Sequence, residues 1–285
     1  MTLSLEAVGL VLLAALFHAS WNALVKTSGD RLAVLAMLNG VGSVIALLAL
    51  PFVAVPARES WIYLCASIVL HSGYYFFLIG AYRVGDLSHV YPLARGLSPL
   101  LVAGAAVVFA GEILSPAAFF GVMLACAGIV SLSFDAGPPW RNDRRPLLFA
   151  LGTAAFIASY TIVDGIGVRA AGSVAGYIAW LFSLDAIPIV LVAWILRRRE
   201  VRWTVRTEWK KGVVGGMLAL GAYGLVIWAM SLASMAAVSA LRETSVIFAA
   251  LIGTIVLKER FSKLRIGAAV VVAAGVVLMN LARGS

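Results

Sequence analysis

Charge is scarce in this chain. Asp, Glu, Lys and Arg make up 12% of its 285 residues, against roughly 25% in soluble domains. The shortage runs the whole length, which leaves no polar remainder of the kind a soluble domain on a single anchor would need. Cysteine is almost absent: Cys65 and Cys126 each stand alone in an apolar stretch. That excludes a disulfide framework and Cys/His metal spacing. No HExxH, GxSxG, paired-aspartate GxGD or Walker A pattern occurs, so no enzyme activity, ATP hydrolysis, cofactor or metal is expected. Acids are outnumbered 13 to 22 by bases, for a net charge of +9. Basic residues interleaved with aromatics on one exposed face are missing, so nucleic acid is not the expected partner. No basic n-region precedes the first apolar run near Leu5, so that run reads as a mature helix, not a cleavable signal.

What is present is hydrocarbon. Hydrophobic residues are 62% of the chain and the mean hydropathy is +1.01. A spanning helix needs about 20 mostly apolar residues. Ten runs qualify, at 5–26, 31–53, 60–82, 87–110, 115–134, 147–168, 173–196, 210–232, 237–257 and 262–281. The spacing predicts an all-α membrane protein of ten transmembrane helices. Most connections are short. Two are longer and polar: residues 135–146, which divide five runs from five, and residues 197–211, which carry the densest positive charge.

Basic residues orient the spans. Odd-numbered connections hold 17 of the 22 lysines and arginines, even connections and termini hold 3 (Arg58, Arg169 and Arg283), and Arg95 and Arg242 lie inside spans. The positive-inside rule therefore places odd connections in the cytoplasm and both termini outside, in a plasma (inner) membrane. Five spans per half means that the second half enters from the opposite face, the inverted repeat of many secondary transporters.

The repeat is legible in polar residues. A shift of 147 carries Arg95 onto Arg242, Ser98 onto Ser245, Glu112 onto Glu259, Ser115 onto Ser262 and Gly128 onto Gly275. In the first and sixth runs, residues 15–21 (ALFHASW) parallel residues 154–160 (AAFIASY). The expected division is 1–134, a cytoplasmic linker at 135–146, and 147–285.

Two five-helix halves, with Gly111-Glu112…Ser115…Gly121…Gly128 in one and Lys258-Glu259…Ser262…Gly275 in the other, resemble a pair of EamA domains. The chain is thus similar to the drug/metabolite transporter superfamily, with amino-acid exporters of the YddG type as the first comparison. The resemblance covers nearly the whole chain. It implies a central cavity lined chiefly by the first, third, fourth, sixth, eighth and ninth spans, and export or exchange of small metabolites.

Several polar side chains fall at helical spacing on one face. They are His18, Trp21 and Asn22 in the first run; His71, Tyr74, Tyr75 and Tyr82 in the third; Tyr91, Arg95 and Ser98 in the fourth; and Tyr160, Thr161 and Asp164 in the sixth. Each could line a cavity, anchor an interface or bridge helices. Trp21 and Tyr160 occupy equivalent repeat positions, which predicts opposite walls of one cavity. Arg95 and Arg242 are costly inside hydrocarbon. A guanidinium clasps a carboxylate with two hydrogen bonds, so Arg95 reads either as a receptor for an anionic substrate group or as half of a structural ion pair. Glu243 follows Arg242 directly, about 100° round the helix, so one of the two is free to pair across helices. Counting from span ends places Arg95 and Arg242 on opposite sides of the midplane. Asp185, one turn before Pro188, is a candidate proton-coupling group with His71, or a partner for carbonyls loosened by the proline. Small residues on the fifth run (Ala117, Gly121, Ala125, Gly128) permit close packing within the chain or between two copies. The expected partners are the lipid bilayer and a small molecule, with the protein a monomer or homodimer.

The expected function is alternating-access transport of a small amphipathic carboxylate, most simply amino-acid export. The competing readings are a channel or sensor, or an exchanger or importer of another metabolite.

Overall fold

Five helices begin on a side chain that accepts the N–H three residues on: Ser4 from Ala7, Asp30 from Ala33, Ser115 from Ala118, Ser173 from Gly176 and Ser234 from Ala237. Each cap satisfies a donor that the helix cannot, for about 1 kcal/mol. The computed structural model describes residues 4–84, 87–134, 144–256, 258 and 263–281. Its α-helices are α1 (Leu5–Lys26), α2 (Arg31–Ala49), α3 (Trp61–Val84), α4 (Leu87–Ala110), α5 (Pro116–Ser131), α6 (Arg145–Ala170), α7 (Val174–Thr207), α8 (Trp209–Leu232), α9 (Met235–Arg242), α10 (Ser245–Ile255) and α11 (Lys263–Leu281). No strand occurs among the described residues. Nine candidate spans there are long and apolar enough to cross a bilayer, with α9 and α10 together making one.

The molecule is apolar outside and polar within. Leu48, Phe76, Val108, Ile195 and Ile255 are exposed, whereas Arg95, Asp164, Asp185, Arg242 and Glu243 are buried. In water such a surface would aggregate; in a bilayer it is solvated. This is a multi-pass membrane protein. Its most extensive helix pairings are α2 on α7, α5 on α11, α1 on α8, and α3 and α4 on α6. Each joins the first five helices to the later ones, so the halves interleave.

Two expectations change. The polar connection at 197–211 is largely helical: α7 continues to Thr207, and α8 begins at Trp209. Arg197 alone leaves helical geometry (φ −140°, ψ 37°), which lets a charged segment continue as helix in a new direction. The ninth run is not continuous either. Glu243 and Thr244 separate α9 from α10, and there the bonds tighten to i→i+3, from Glu243 N to Ala240 O and from Thr244 N to Leu241 O. Thr244 Oγ1 also donates to Leu241 O. Hydropathy averaged over a whole span does not register this break, because Arg242 to Ser245 form a short polar stretch between two apolar segments. Glu259 and Ser262 lie outside the described residues, as do the side chain of Tyr82 and most of the 135–146 linker.

Candidate functional site

The break in α9–α10 delivers two charges to the bundle centre. Glu243, fully buried, accepts a hydrogen bond through Oε2 from Nε of Arg95 of α4 at 3.1 Å, and its Oε1 lies 2.8 Å from Arg95 Nη2 in ion-pair contact. Arg242 Nε is 3.8 Å from the same Oε1. The two guanidinium groups therefore meet at one carboxylate and do not stand apart at separate sites. Counting residues placed the backbones, whereas long side chains close the remaining gap. The pairing alternative describes Arg95. Arg242 makes no hydrogen bond to Glu243: it is 4% exposed, and among the described residues its Nε and Nη2 have no hydrogen-bond partner, whereas in Arg95 only Nη2 lacks one. One turn earlier on α9, Ser239 Oγ is also buried without a partner.

Aromatic residues lie within electrostatic range of this charge. Arg242 interacts electrostatically with His18, Tyr91, His71, Tyr160 and Tyr223. His71 of α3 stacks on Tyr160 of α6 at 4.1 Å between ring centroids. Tyr223 of α8 meets both edge-on, and Tyr74 edges Tyr160 at 5.8 Å. On the α1 side, His18 Nε2 lies 3.2 Å from Tyr91 Oη. The result is a cage of rings from several helices with one under-coordinated cation beside it.

Carboxylates flank the cage. Asp164 of α6 accepts the hydroxyls of Tyr177, at 3.0 Å, and Tyr223. Asp185 of α7 is buried, and its Oδ1 sits 3.9 Å from His71 Nδ1 with no hydrogen-bond partner among the described residues. It therefore faces the histidine. His71 Nδ1 is 3.0 Å from Ser67 O. Ser67 Oγ lies 3.1 Å from the same Nδ1; a carbonyl can only accept, so the bond to Ser67 O forms in the tautomer that carries its proton on Nδ1.

The other sequence-predicted residues have local roles. Ser98 Oγ donates to Arg95 O, the carbonyl that Pro99 of α4 cannot bond four residues on. Asn22 Nδ2 donates to His18 O. Tyr75 Oη donates to Asn39 Oδ1 of α2 at 2.8 Å. Ser245 is buried at the start of α10. Trp21 packs on a small cluster of Leu35, Met37 and Leu38 of α2 and meets His18 edge-on, while Tyr160 belongs to the central cage.

Tyr223 and Tyr177 were not identified from sequence. Tyr223 had a signal: a shift of 148 carries Trp61, Gly73 and Tyr75 onto Trp209, Gly221 and Tyr223. A second polar junction was also missed. Glu112 Oε1 lies 2.7 Å from Arg169 Nη1, and Glu112 Oε2 accepts from Met235 N at 2.8 Å. Arg169 donates to Met230 O and Ala233 O at 2.8 and 2.7 Å. A cation thus caps the C-terminus of α8 and an anion the N-terminus of α9, each matched to the partial charge of its helix end.

Among solved structures, a crystal structure shares the fold over 96% of each chain, with a TM-score of 0.79 at 19% identity. No curated protein matches by sequence. Residues 144–281 match the EamA-like transporter family. That stretch carries Asp164, Asp185, Tyr223 and the Arg242–Glu243 pair, in a chain that spans the membrane many times and buries these charges among its helices. The stretch of the chain that supplies most of the buried charge is thus similar to an EamA-like transporter domain.

Proposed function

We propose that the whole chain is a ten-helix secondary transporter of two inverted EamA-type repeats, 1–134 and 147–285. It moves small amphipathic carboxylates, amino acids first among them, by alternating access. Reciprocal contacts support the repeat. A Cβ on Gly121 of α5 would meet Gly275 O of α11, and one on Gly128 would meet Ala268 O; the shift of 147 exchanges these two contacts. Likewise Gly73 faces Phe156 and Gly221 faces Phe17, positions exchanged by shifts of 148 and 139. α11 serves as the tenth span. The distribution of basic residues favours the inner membrane with both termini outside.

The observation that carries the substrate class is Arg242. A buried guanidinium with free donors is expensive in hydrocarbon, and a bidentate carboxylate supplies two acceptors and one compensating charge. The ring cage offers the apolar body of such a substrate a stacking surface and offers an ammonium group π-faces. Purified protein in liposomes tests this through counterflow of labelled aromatic and aliphatic amino acids. Saturable exchange that Arg242→Lys impairs and Arg242→Ala abolishes is the expected outcome. Unsaturable conductance would favour a channel, and no flux would leave a sensor.

A second reading concerns coupling. His71 stands near Asp164 and Asp185, and the free Oδ1 of Asp185 suits a proton carrier. Asp185→Asn is expected to abolish uptake driven by a pH gradient while sparing counterflow. Loss of both would assign Asp185 to structure.

A further inference from the structure

Beside the central site, and reaching Tyr75 next to the ring cage, a crevice of roughly 380 Å³ opens between α2, α3, α6 and α7. Leu32, Phe76, Ile79, Val192 and Leu196 form its walls. Phe76 is 69% and Leu196 58% exposed, so the crevice opens laterally, toward hydrocarbon. Its α7 wall ends at Leu196, and there the chain changes character. Arg197 turns the backbone, and Arg198, Arg199, Arg202 and Arg206 follow within three turns, all exposed. Asp30 takes Arg197, with Oδ2 3.7 Å from its Nε. The guanidinium groups of Arg198 and Arg202 lie 5.0 and 5.4 Å from the Trp194 ring, which positions both at the level where an indole ring favours the membrane interface. Glu200 is the one acid among them.

We infer that this is a binding site for an anionic phospholipid, with an acyl chain in the crevice and its phosphate on Arg198, Arg199 and Arg202. A lone apolar crevice fits any lipid. The unneutralised arginines at its end select a negative headgroup, as basic clusters beside transmembrane helices do. The inference is independent of what the central site carries.

Native mass spectrometry and thermal unfolding of the purified full chain test it. Dioleoyl-phosphatidylglycerol is expected to bind and raise the unfolding temperature more than dioleoyl-phosphatidylcholine. The exposed triple variant Arg198→Gln/Arg199→Gln/Arg202→Gln is expected to lose that preference, weakening phosphatidylglycerol binding roughly tenfold or more. Val192→Trp, filling the crevice, should weaken both lipids. Glycerol 3-phosphate alone should give no shift; a shift equal to the lipid's would make this a soluble-phosphate site and overturn the assignment. So would equal binding of the two lipids by the unsubstituted protein, or a triple variant that keeps its preference. A crevice-filled protein that retains both lipids but loses transport would make the crevice a substrate path instead.

Discussion

Glu243 faces two guanidinium groups, so removing it is not equivalent to removing either arginine. Without Arg95, the carboxylate still has Arg242 nearby, with Nε 3.8 Å from Oε1. Without Glu243, two buried cations face each other with nothing between them. Breaking a buried pair by removing one partner costs about 3–5 kcal/mol. Glu243→Gln is therefore expected to lower the unfolding temperature and folded yield more than Arg95→Gln, as read by fluorescence-detected size exclusion after heating. Equal losses would show that Arg242 does not share the carboxylate. The comparison also separates structure from substrate binding: Arg95→Lys should cost stability through its lost fork, whereas Arg242→Lys should cost transport.

At the scale of elements, helix ends and crossings set what can move. Glu112 and Arg169 tie the segment after α4 and the end of α6 to the junction of α8 and α9. In the proposed topology this junction is external, so the clasp holds the outer side shut. Glu112→Gln keeps an acceptor for Met235 N but removes the ion pair. In a Cys65→Ser background, it is expected to raise labelling of Ser239→Cys by a membrane-impermeant thiol reagent added outside. Unchanged labelling would reduce the clasp to a helix cap. The α5–α11 crossing should be rigid instead. A Cβ on Gly121 would sit 2.6 Å from Gly275 O and one on Gly275 2.6 Å from Gly121 O, both backbone contacts. Gly121→Ala must push the helices apart and is expected to destabilise by about 1–3 kcal/mol, measured as lost thermal stability; Gly104→Ala, with nothing within 4 Å of its Cβ, is the neutral control.

For the whole molecule, topology is the checkable consequence of the charge distribution. Alkaline phosphatase, active only outside, fused after Ser285 should be active, and fused within 135–146 inactive. The reverse pattern would turn the molecule over and make the Glu112–Arg169 clasp internal.

The sequence by itself determined that the chain lives in a bilayer, where nine candidate spans fall among the described residues, and which rare polar residues lie inside them. These follow from transfer of side chains out of water, a property of each residue summed over about 20 neighbours, and charge scarcity makes every exception visible. The caps Ser115 before Pro116 and Asp30 before Arg31 are local as well, since each side chain bonds its own backbone three residues on, although they were not read from the sequence. What the exceptions do was not legible. Whether Arg95 or Arg242 is the spent charge depends on where Glu243 points, and a two-residue tightening of the ninth span sets that direction. The roles of Ser98 and Tyr223 were equally hidden, one fixed by a carbonyl that Pro99 frees, the other by a carboxylate 59 residues away in sequence. Hydropathy is additive along the chain, but pairing is decided between helices, at distances of 3–4 Å that only the tertiary structure sets.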